Sequence, residues 1–291
     1  MIAYNPKDWF TFIFRVHKSD TVRQLFPMLV AIALYAALVA YLELHYWADF
    51  ENNRLKNATV MHSLLGFVIS LLLVFRTNTA YDRWWEGRKL WGNLVNTSRN
   101  LAIKLNSMLP PDEEARSFFR RTIPLYASAL SVHLRSESTR LSLDEREHPE
   151  LKILDHDKHV PNQVASLLTQ RVGQLYAAGY LKEAQLIVLT TDLQAFTDIA
   201  GACERIKNTP IPISYSVFLK KFIFFYVMTI PFTFVFTLGY WVVPMVVFVF
   251  YVLASMELIA EEIEDPFGGD TNDLPIEKIA ENIGRHVREL V

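Results

Sequence analysis

The chain is poor in the residues that build disulfide frameworks and nucleotide-binding loops. Its 291 residues include one cysteine, Cys203, so no disulfide can form within the chain. Only 10 glycines are present, and no glycine-rich pattern of the kind that cradles phosphates occurs. The formal net charge is −2, which gives no electrostatic reason to expect a nucleic-acid partner. No internal repeat that would point to a solenoid is visible.

Long apolar runs are what the chain has in abundance. Residues 24–47 contain an uncharged stretch, Leu25 to Leu42, that is long enough to cross a hydrocarbon core of about 30 Å. A second run extends from about Thr59 to Phe75. The third, Phe222 to Ala260, is about twice the length that one spanning helix needs, which predicts two helices that turn near Gly239–Trp241. The sequence therefore predicts four membrane helices.

These runs divide the chain into segments of different character. The predicted segments are an interfacial N-terminal stretch (1–23), transmembrane helix 1 (24–47), transmembrane helix 2 (58–81), a polar helical region (82–215), transmembrane helices 3 and 4 (216–260) and a C-terminal segment (261–291). Helical patterning beyond the second apolar run predicts helices at 76–108, 112–136, 161–178 and 181–207. The predicted fold class is an all-α membrane protein with a large helical region outside the bilayer.

Lysine and arginine are concentrated at one end of the predicted spans. The flanking cations are Lys7, Arg15, Lys18, Arg23, Arg76, Arg83, Arg88, Lys89, Lys220 and Lys221. By the positive-inside rule they mark the cytoplasmic side. We therefore expect a multi-pass protein of the cell (inner) membrane, with both termini and residues 82–215 in the cytoplasm and the loop 48–57 outside.

Few residues stand out as candidates for chemistry. His62 is ionisable and lies in a predicted span, so it is a functional candidate, although its place near the outer end suits contact with water equally well. Asp155, His156, Asp157 and His159 are metal-binding residue types, but nothing nearby in the sequence completes a ligand shell, so a solvated loop is favoured. No nucleophile–base pair or paired catalytic carboxylates appear. The residues alone leave a channel, a transporter and a membrane enzyme open. An enzyme would need a convergent polar constellation inside the spans, which is not visible, so we predict no enzymatic activity.

Two stripes follow the predicted second helix. The apolar one recurs every four residues, with Asn78 near the same line: Phe67, Leu71 and Phe75. The polar one recurs every seven: Ser63, Ser70 and Thr77. The apolar stripe by itself is more typical of lipid or core contact than of a pore, whereas the polar stripe indicates packing against neighbouring helices.

The polar continuation of this helix resembles the bestrophin family, and in particular its bacterial branch. The resemblance is carried by FRTNTAYDRWWEGRKLWGNLVNTSRNLA (75–102), whose Arg83-Trp84-Trp85 triplet is similar to a motif of animal bestrophins. It continues at ACERIKNTPIPISYSVFL (202–219) and at DPFG (265–268), and it covers nearly the whole chain.

The resemblance implies a homopentameric channel in a lipid bilayer, with five copies of transmembrane helix 2 around one pore. Phe67, Leu71 and Phe75 would form three apolar neck rings, and a second constriction would fall in 181–207, at Ile187 or alternatively at Leu186. The bacterial branch implies a monovalent cation, sodium, as the first choice and an anion, chloride, as the alternative. A secondary transporter or a membrane enzyme is the second alternative, but the inverted repeats of many transporters are not visible.

Calcium is the one cofactor that the resemblance raises. Animal bestrophins bind it with an acidic run after a similar turn, and Asp265, Asp270 and Asp273 occupy that region here. Gly269 and Thr271 thin the run, and calcium needs six or more oxygen ligands. The sequence therefore predicts weak calcium binding or none, and no other cofactor.

Overall fold

The computed structural model describes residues 21–46, 54–109, 113–135 and 149–291, and this part of the chain is built from helices and short turns. The described α-helices are α1 (Thr21–Tyr46), α2 (Arg54–Met108), α3 (Glu113–Arg135), α4 (Val160–Ala177), α5 (Glu183–Asn208), α6 (Ile213–Leu238), α7 (Val242–Glu264) and α8 (Ile276–Leu290). Short 3₁₀ helices occupy Pro149–Ile153 and Gly239–Trp241. Most of the predicted interfacial segment 1–23 and most of the predicted outer loop 48–57 lie outside the described residues, as do residues 136–148 of the predicted polar helical region.

The chain divides into two compact units, and α2 contributes to both. The membrane unit comprises the described residues up to Arg83 together with Pro210–Glu264. The body unit comprises Trp84–Thr209 and Asp265–Val291. The division within α2 falls at the Arg83-Trp84-Trp85 triplet on which the family resemblance rests.

The membrane unit contains the four predicted membrane helices. Helix α1 packs on α6 and α7, and these two pack on each other. Their shared apolar core includes Ala36 of α1, Ile69 and Leu73 of α2, Val227 of α6 and Val246 of α7. Large apolar side chains also cover the outside of this unit, as a lipid-facing surface requires: examples are Leu34, Leu38, Phe225 and Phe248.

The apolar run that was predicted to fold back on itself does so at Gly239. This residue has φ +57°, which a glycine adopts without steric cost, and it opens the 3₁₀ turn Gly239–Trp241 between α6 and α7. Pro231 lies inside α6 without ending it, and Pro244 sits in the first turn of α7, where a missing N–H costs nothing. Of Pro231, Gly239 and Pro244, only the glycine breaks the helix.

The body unit has its own apolar core. Helix α3 packs on α4, α5 and α8, and α4 packs on α5. The second half of α2 adds Trp91, Leu94 and Leu101, which are fully buried there. Helix α5 is also long and apolar enough to cross a membrane by length and composition, although it is less apolar than α1. Because α5 buries Phe196 and Cys203 in this core, we assign it to the region outside the bilayer.

Candidate functional site

The predicted neck residues lie on one side of α2, and their side chains point away from the chain's own core. Phe67, Leu71 and Phe75 are 66%, 46% and 58% exposed. Two further residues on the same helical line, Asn78 and Asp82, are exposed as well. This face thus passes from apolar to polar along one continuous helix, and no described part of the chain covers it.

The polar stripe is satisfied within α2 itself. The hydroxyls of Ser63, Ser70 and Thr77 donate to the carbonyls four residues earlier, at 2.9, 2.8 and 2.8 Å. Such back-bonding is common for serine and threonine in membrane helices. The stripe therefore does not by itself demand a neighbouring helix, and this removes one of the sequence arguments for packing on that side.

His62 is buried in an aromatic setting. Its ring stacks on Tyr226 with centroids 4.2 Å apart and meets Phe234 edge-on at 5.7 Å. One turn later, a Cβ on Gly66 would lie 2.6 Å from the Tyr226 hydroxyl oxygen, so glycine permits this close approach. His62 accordingly faces the interior of its own chain and lies apart from the exposed neck face.

A buried charge cluster lies at the end of the membrane unit. Arg76 pairs with Glu264 at 2.7 Å and with Glu257 at 3.4 Å, and the Arg76 and Glu257 side chains are almost completely buried. The remaining groups of Glu264 are also used: its Oε1 accepts from the Ile211 N–H, and its carbonyl accepts from Arg83 Nε. His62 is not the only ionisable candidate within the predicted spans, because Glu257 lies inside 216–260. Its position in an apolar run was the available signal.

The predicted cytoplasmic constriction falls on α5. Ile187 is 63% exposed, whereas Leu186, the alternative, packs against the body core. Of the two, Ile187 is the side chain that is available to a path outside the chain.

The turn that follows α7 closes on the second half of α2. The Phe267 ring is fully buried, and a Cβ on Gly87 would lie 3.1 Å from it, so glycine allows this contact. Trp84 Nε1 donates to the Asn272 carbonyl at 3.2 Å. The segments 75–102 and DPFG, which both carry the family resemblance, are therefore in contact.

Two of the three predicted calcium ligands, Asp265 and Asp273, use a carboxylate oxygen to accept a backbone hydrogen bond within this turn. Asp265 Oδ1 accepts from the Phe267 N–H, and Asp273 Oδ2 accepts from the Asp270 N–H at 2.6 Å. Asp273 Oδ1 is buried without a hydrogen-bond partner, which is the one feature that would suit a cation. Burial, reinforced by the nearby Asp270 and Asp265 charges, raises the pKa of Asp273 to about 6. The three carboxylates do not gather their oxygens within 4.8 Å of one another, whereas calcium takes six or more oxygen ligands.

A second polar cluster joins residues that sequence reasoning did not connect. His133 Nε2 and His159 Nε2 lie 3.2 and 2.6 Å from Glu204 Oε1. Burial, followed by the His159 charge, lowers the pKa of His133, although Glu204 acts in the opposite direction. Of the loop 154–160, only His159 enters this cluster; Asp155 instead bonds the Asp157 N–H and pairs with Lys158.

Comparison with known proteins gives one consistent answer. The family model for bacterial and fungal bestrophin proteins matches residues 1–289. A relative from Nostoc sp., named a voltage-dependent anion channel-forming protein, is 34% identical over 98% of this chain and 92% of its own length. A relative of the same name from Escherichia coli is 30% identical over 97% of this chain and 91% of its own length. The cation expectation is thus not confirmed, and these names fit the anion alternative better.

Solved structures agree with the sequence relatives. The crystal structure of a variant of a bacterial bestrophin homolog from Klebsiella pneumoniae matches with a TM-score of 0.80 at 26% identity, covering 92% of this chain and 98% of that chain. A second crystal structure, described as that of a membrane protein, matches equally well at 27% identity over 92% and 98% of the two chains. This multi-pass membrane protein is a member of the bestrophin family of ion channels, in its bacterial and fungal branch.

Proposed function

We propose that the chain forms a homopentameric channel that conducts monovalent anions, chloride among them, down their gradient. The observation that carries the choice of ion is the name shared by its relatives, voltage-dependent anion channel-forming protein. The choice of a channel over a transporter or a membrane enzyme is supported by family membership and by the uncovered face of α2.

In this proposal the exposed face of α2 lines the pore. One chain cannot enclose a path, so copies of Phe67, Leu71 and Phe75 around an axis would form three successive apolar rings. Steps of four residues advance about 6 Å along a helix, which gives an apolar sleeve of roughly 12 Å. An ion inside it finds no replacement for its hydration shell, so the sleeve must widen or fill with water for conduction.

The polar end of the same face supports the pore over lipid contact. Asn78 and Asp82 continue the line of the neck residues and are exposed. An exposed carboxylate is costly against lipid but well solvated at the mouth of a water-filled pore. Ile187 is the proposed second constriction, because it is the exposed member of the pair that the family resemblance suggests.

A cation channel is the second candidate, and Asp82 is the observation that favours it. Five copies of an exposed carboxylate on the pore line would attract cations and repel anions. Reversal potentials of the purified channel in planar bilayers under asymmetric salt decide between the two. A potential near the chloride equilibrium value supports the anion channel, and a potential near that of the cation overturns it. Asp82→Asn should then strengthen anion preference, while Asp157→Asn, in an exposed loop, should not alter it.

We further propose that both termini and the body unit lie on the cytoplasmic side of a bacterial inner membrane, with the loop 48–57 outside. The distribution of lysine and arginine supports this orientation. Cysteines introduced at Asn53 and Ser138, both outside the described residues, test it with an impermeant thiol reagent. The native Cys203 is buried, so its background labelling should be low. Labelling from the outside at position 53 alone supports the orientation, and labelling at position 138 alone reverses it.

A further inference from the structure

Three helices of the body unit bring two imidazoles and one carboxylate together. His133 lies in the last turn of α3, His159 is the N-cap of α4, and Glu204 lies near the end of α5. One ligand atom from each residue falls within a group whose members are all within 4.8 Å of one another. Among the described residues, this is the only set of three or more histidine, cysteine or acidic side chains with that property.

The hydrogen bonds around His159 define which of its ring nitrogens is available. Its Nδ1 accepts from the Asn162 N–H at 3.1 Å, as an N-cap does. The neutral ring therefore carries its proton on Nε2, which donates to Glu204 Oε1 at 2.6 Å. Nδ1 is thus engaged with the backbone, and Nε2 is held facing Glu204 and His133, the orientation that a metal-binding histidine needs.

We propose that His133, His159 and Glu204 form a binding site for a divalent transition-metal ion, with zinc as the best match. Two histidines and one glutamate are an established zinc donor set, and a water molecule would complete the tetrahedron. The proton on His159 Nε2 leaves to solvent when the metal takes its place. The hydrogen bond between His159 Nε2 and Glu204 Oε1 is then replaced by a bond from each of these two atoms to the metal.

The distances are close to those that zinc requires. Zinc–ligand bonds of about 2.0–2.1 Å in a tetrahedron place neighbouring ligand atoms roughly 3.3 Å apart. The His133–Glu204 separation of 3.2 Å already matches this value, whereas the His159–Glu204 contact of 2.6 Å must open by several tenths of an ångström. The three side chains are 24%, 31% and 27% exposed, so an ion and its water can enter from solvent.

The positive charge of the neighbouring Lys207 disfavours binding of a metal cation at this site. Lys207 Nζ donates to the His133 carbonyl at 3.1 Å, and its charge acts against a second positive charge at the site. The carboxylate of Glu204 offsets that charge when it ligates the metal. The proposed ion would tie the end of α3 to the start of α4 and to α5, and it would therefore stabilise the body unit against unfolding.

The test is zinc binding by the purified full-length chain, measured by competition with a chromophoric chelator. Three variants each remove one ligand while sparing the local structure: Glu204→Gln, His133→Gln and His159→Asn. Asparagine is a good N-cap, so His159→Asn keeps the start of α4 while deleting Nε2. His156→Ala, in an exposed position of the same loop, is the matched control.

We expect one zinc per chain, and a loss of affinity of at least about ten-fold in each ligand variant, since even outer-shell changes cost 10–100-fold. The control should bind as the wild type does.

Zinc should also raise the midpoint of thermal unfolding of the wild type and of His156→Ala, but not that of His159→Asn. Absence of zinc binding by the wild type, or undiminished affinity in His159→Asn and Glu204→Gln, overturns the proposal. Neither readout depends on channel activity.

Discussion

The two halves of α2 differ in the burial of their large apolar side chains. In the first half, Phe67, Leu71 and Phe75 are exposed, although each is large and apolar. In the second half, Trp91 and Leu101 are fully buried against the chain's own α3, α4, α5 and α8. Along this one continuous helix, the described residues of the chain bury the apolar side chains of the second half and leave the neck face of the first half, Phe67, Leu71 and Phe75, uncovered.

This difference follows from the solvent around each half. Apolar area in water costs about 25 cal/mol per Å², so a helix in water buries its apolar residues within the chain. In the bilayer that penalty is absent, and apolar side chains can face lipid or other copies. The exposure of Phe67, Leu71 and Phe75 therefore indicates that lipid or other copies of the chain, and not water, surround this part of α2.

The largest expected effect is at Arg76, in the part of α2 that belongs to the membrane unit. Replacing Arg76 by Met leaves Glu257 and Glu264 without their buried cation, and breaking such a pair typically costs about 3–5 kcal/mol. The same change at the exposed Arg99, also on α2, should cost almost nothing. Thermal unfolding in detergent measures both, and equal stability of the two variants would contradict the buried role of Arg76.

The body half of α2 should respond to truncation in the manner of a soluble core. Leu101→Ala removes a fully buried side chain and should lower the free energy of unfolding by about 2–5 kcal/mol. Ile103→Ala, two residues along but exposed, should change it by less than about 1 kcal/mol. A similar loss at both positions would mean that the burial pattern of this half differs from the one described.

Truncating a neck residue in the first half of α2 should change ion conduction and have little effect on stability. Leu71→Ala removes bulk from the central neck ring, which eases wetting and should raise the open probability without altering charge selectivity. Leu72, about 100° away around the helix, packs against the core of the membrane unit and serves as the control. Single-channel recording compares the two variants. Opening by Leu72→Ala and no effect of Leu71→Ala would place a different face of α2 on the pore.

The smallest expected effect is that of calcium. Asp265 and Asp273 accept backbone hydrogen bonds in the turn, and Gly269 and Thr271 add no carboxylate. Currents recorded with and without micromolar calcium should therefore be the same. A steep rise with calcium would mean that the turn rearranges to build a site.

Features that depend on local sequence could be predicted, whereas those that depend on long-range packing could not. The turn at Gly239 was predictable because the apolar run is twice the bilayer thickness and contains a residue that tolerates positive φ. The partners of His159 were not, since Glu204 lies 45 residues away on another helix. The pairing of Arg76 with Glu257 was equally hidden, because it joins two helices that are remote in sequence. The proposed role of Phe67 as a pore residue depends on further copies of the chain, and a single-chain sequence pattern carries no information about them.

The mass of the purified protein in lipid discs tests the central claim most directly, namely that copies of the chain cover the neck face of α2. We predict a single species of five chains, because a pore around the exposed line of Phe67, Leu71 and Phe75 needs several copies and the family resemblance implies five. A uniform monomer or dimer would contradict the account, and the exposed face of α2 would then be a lipid-facing surface.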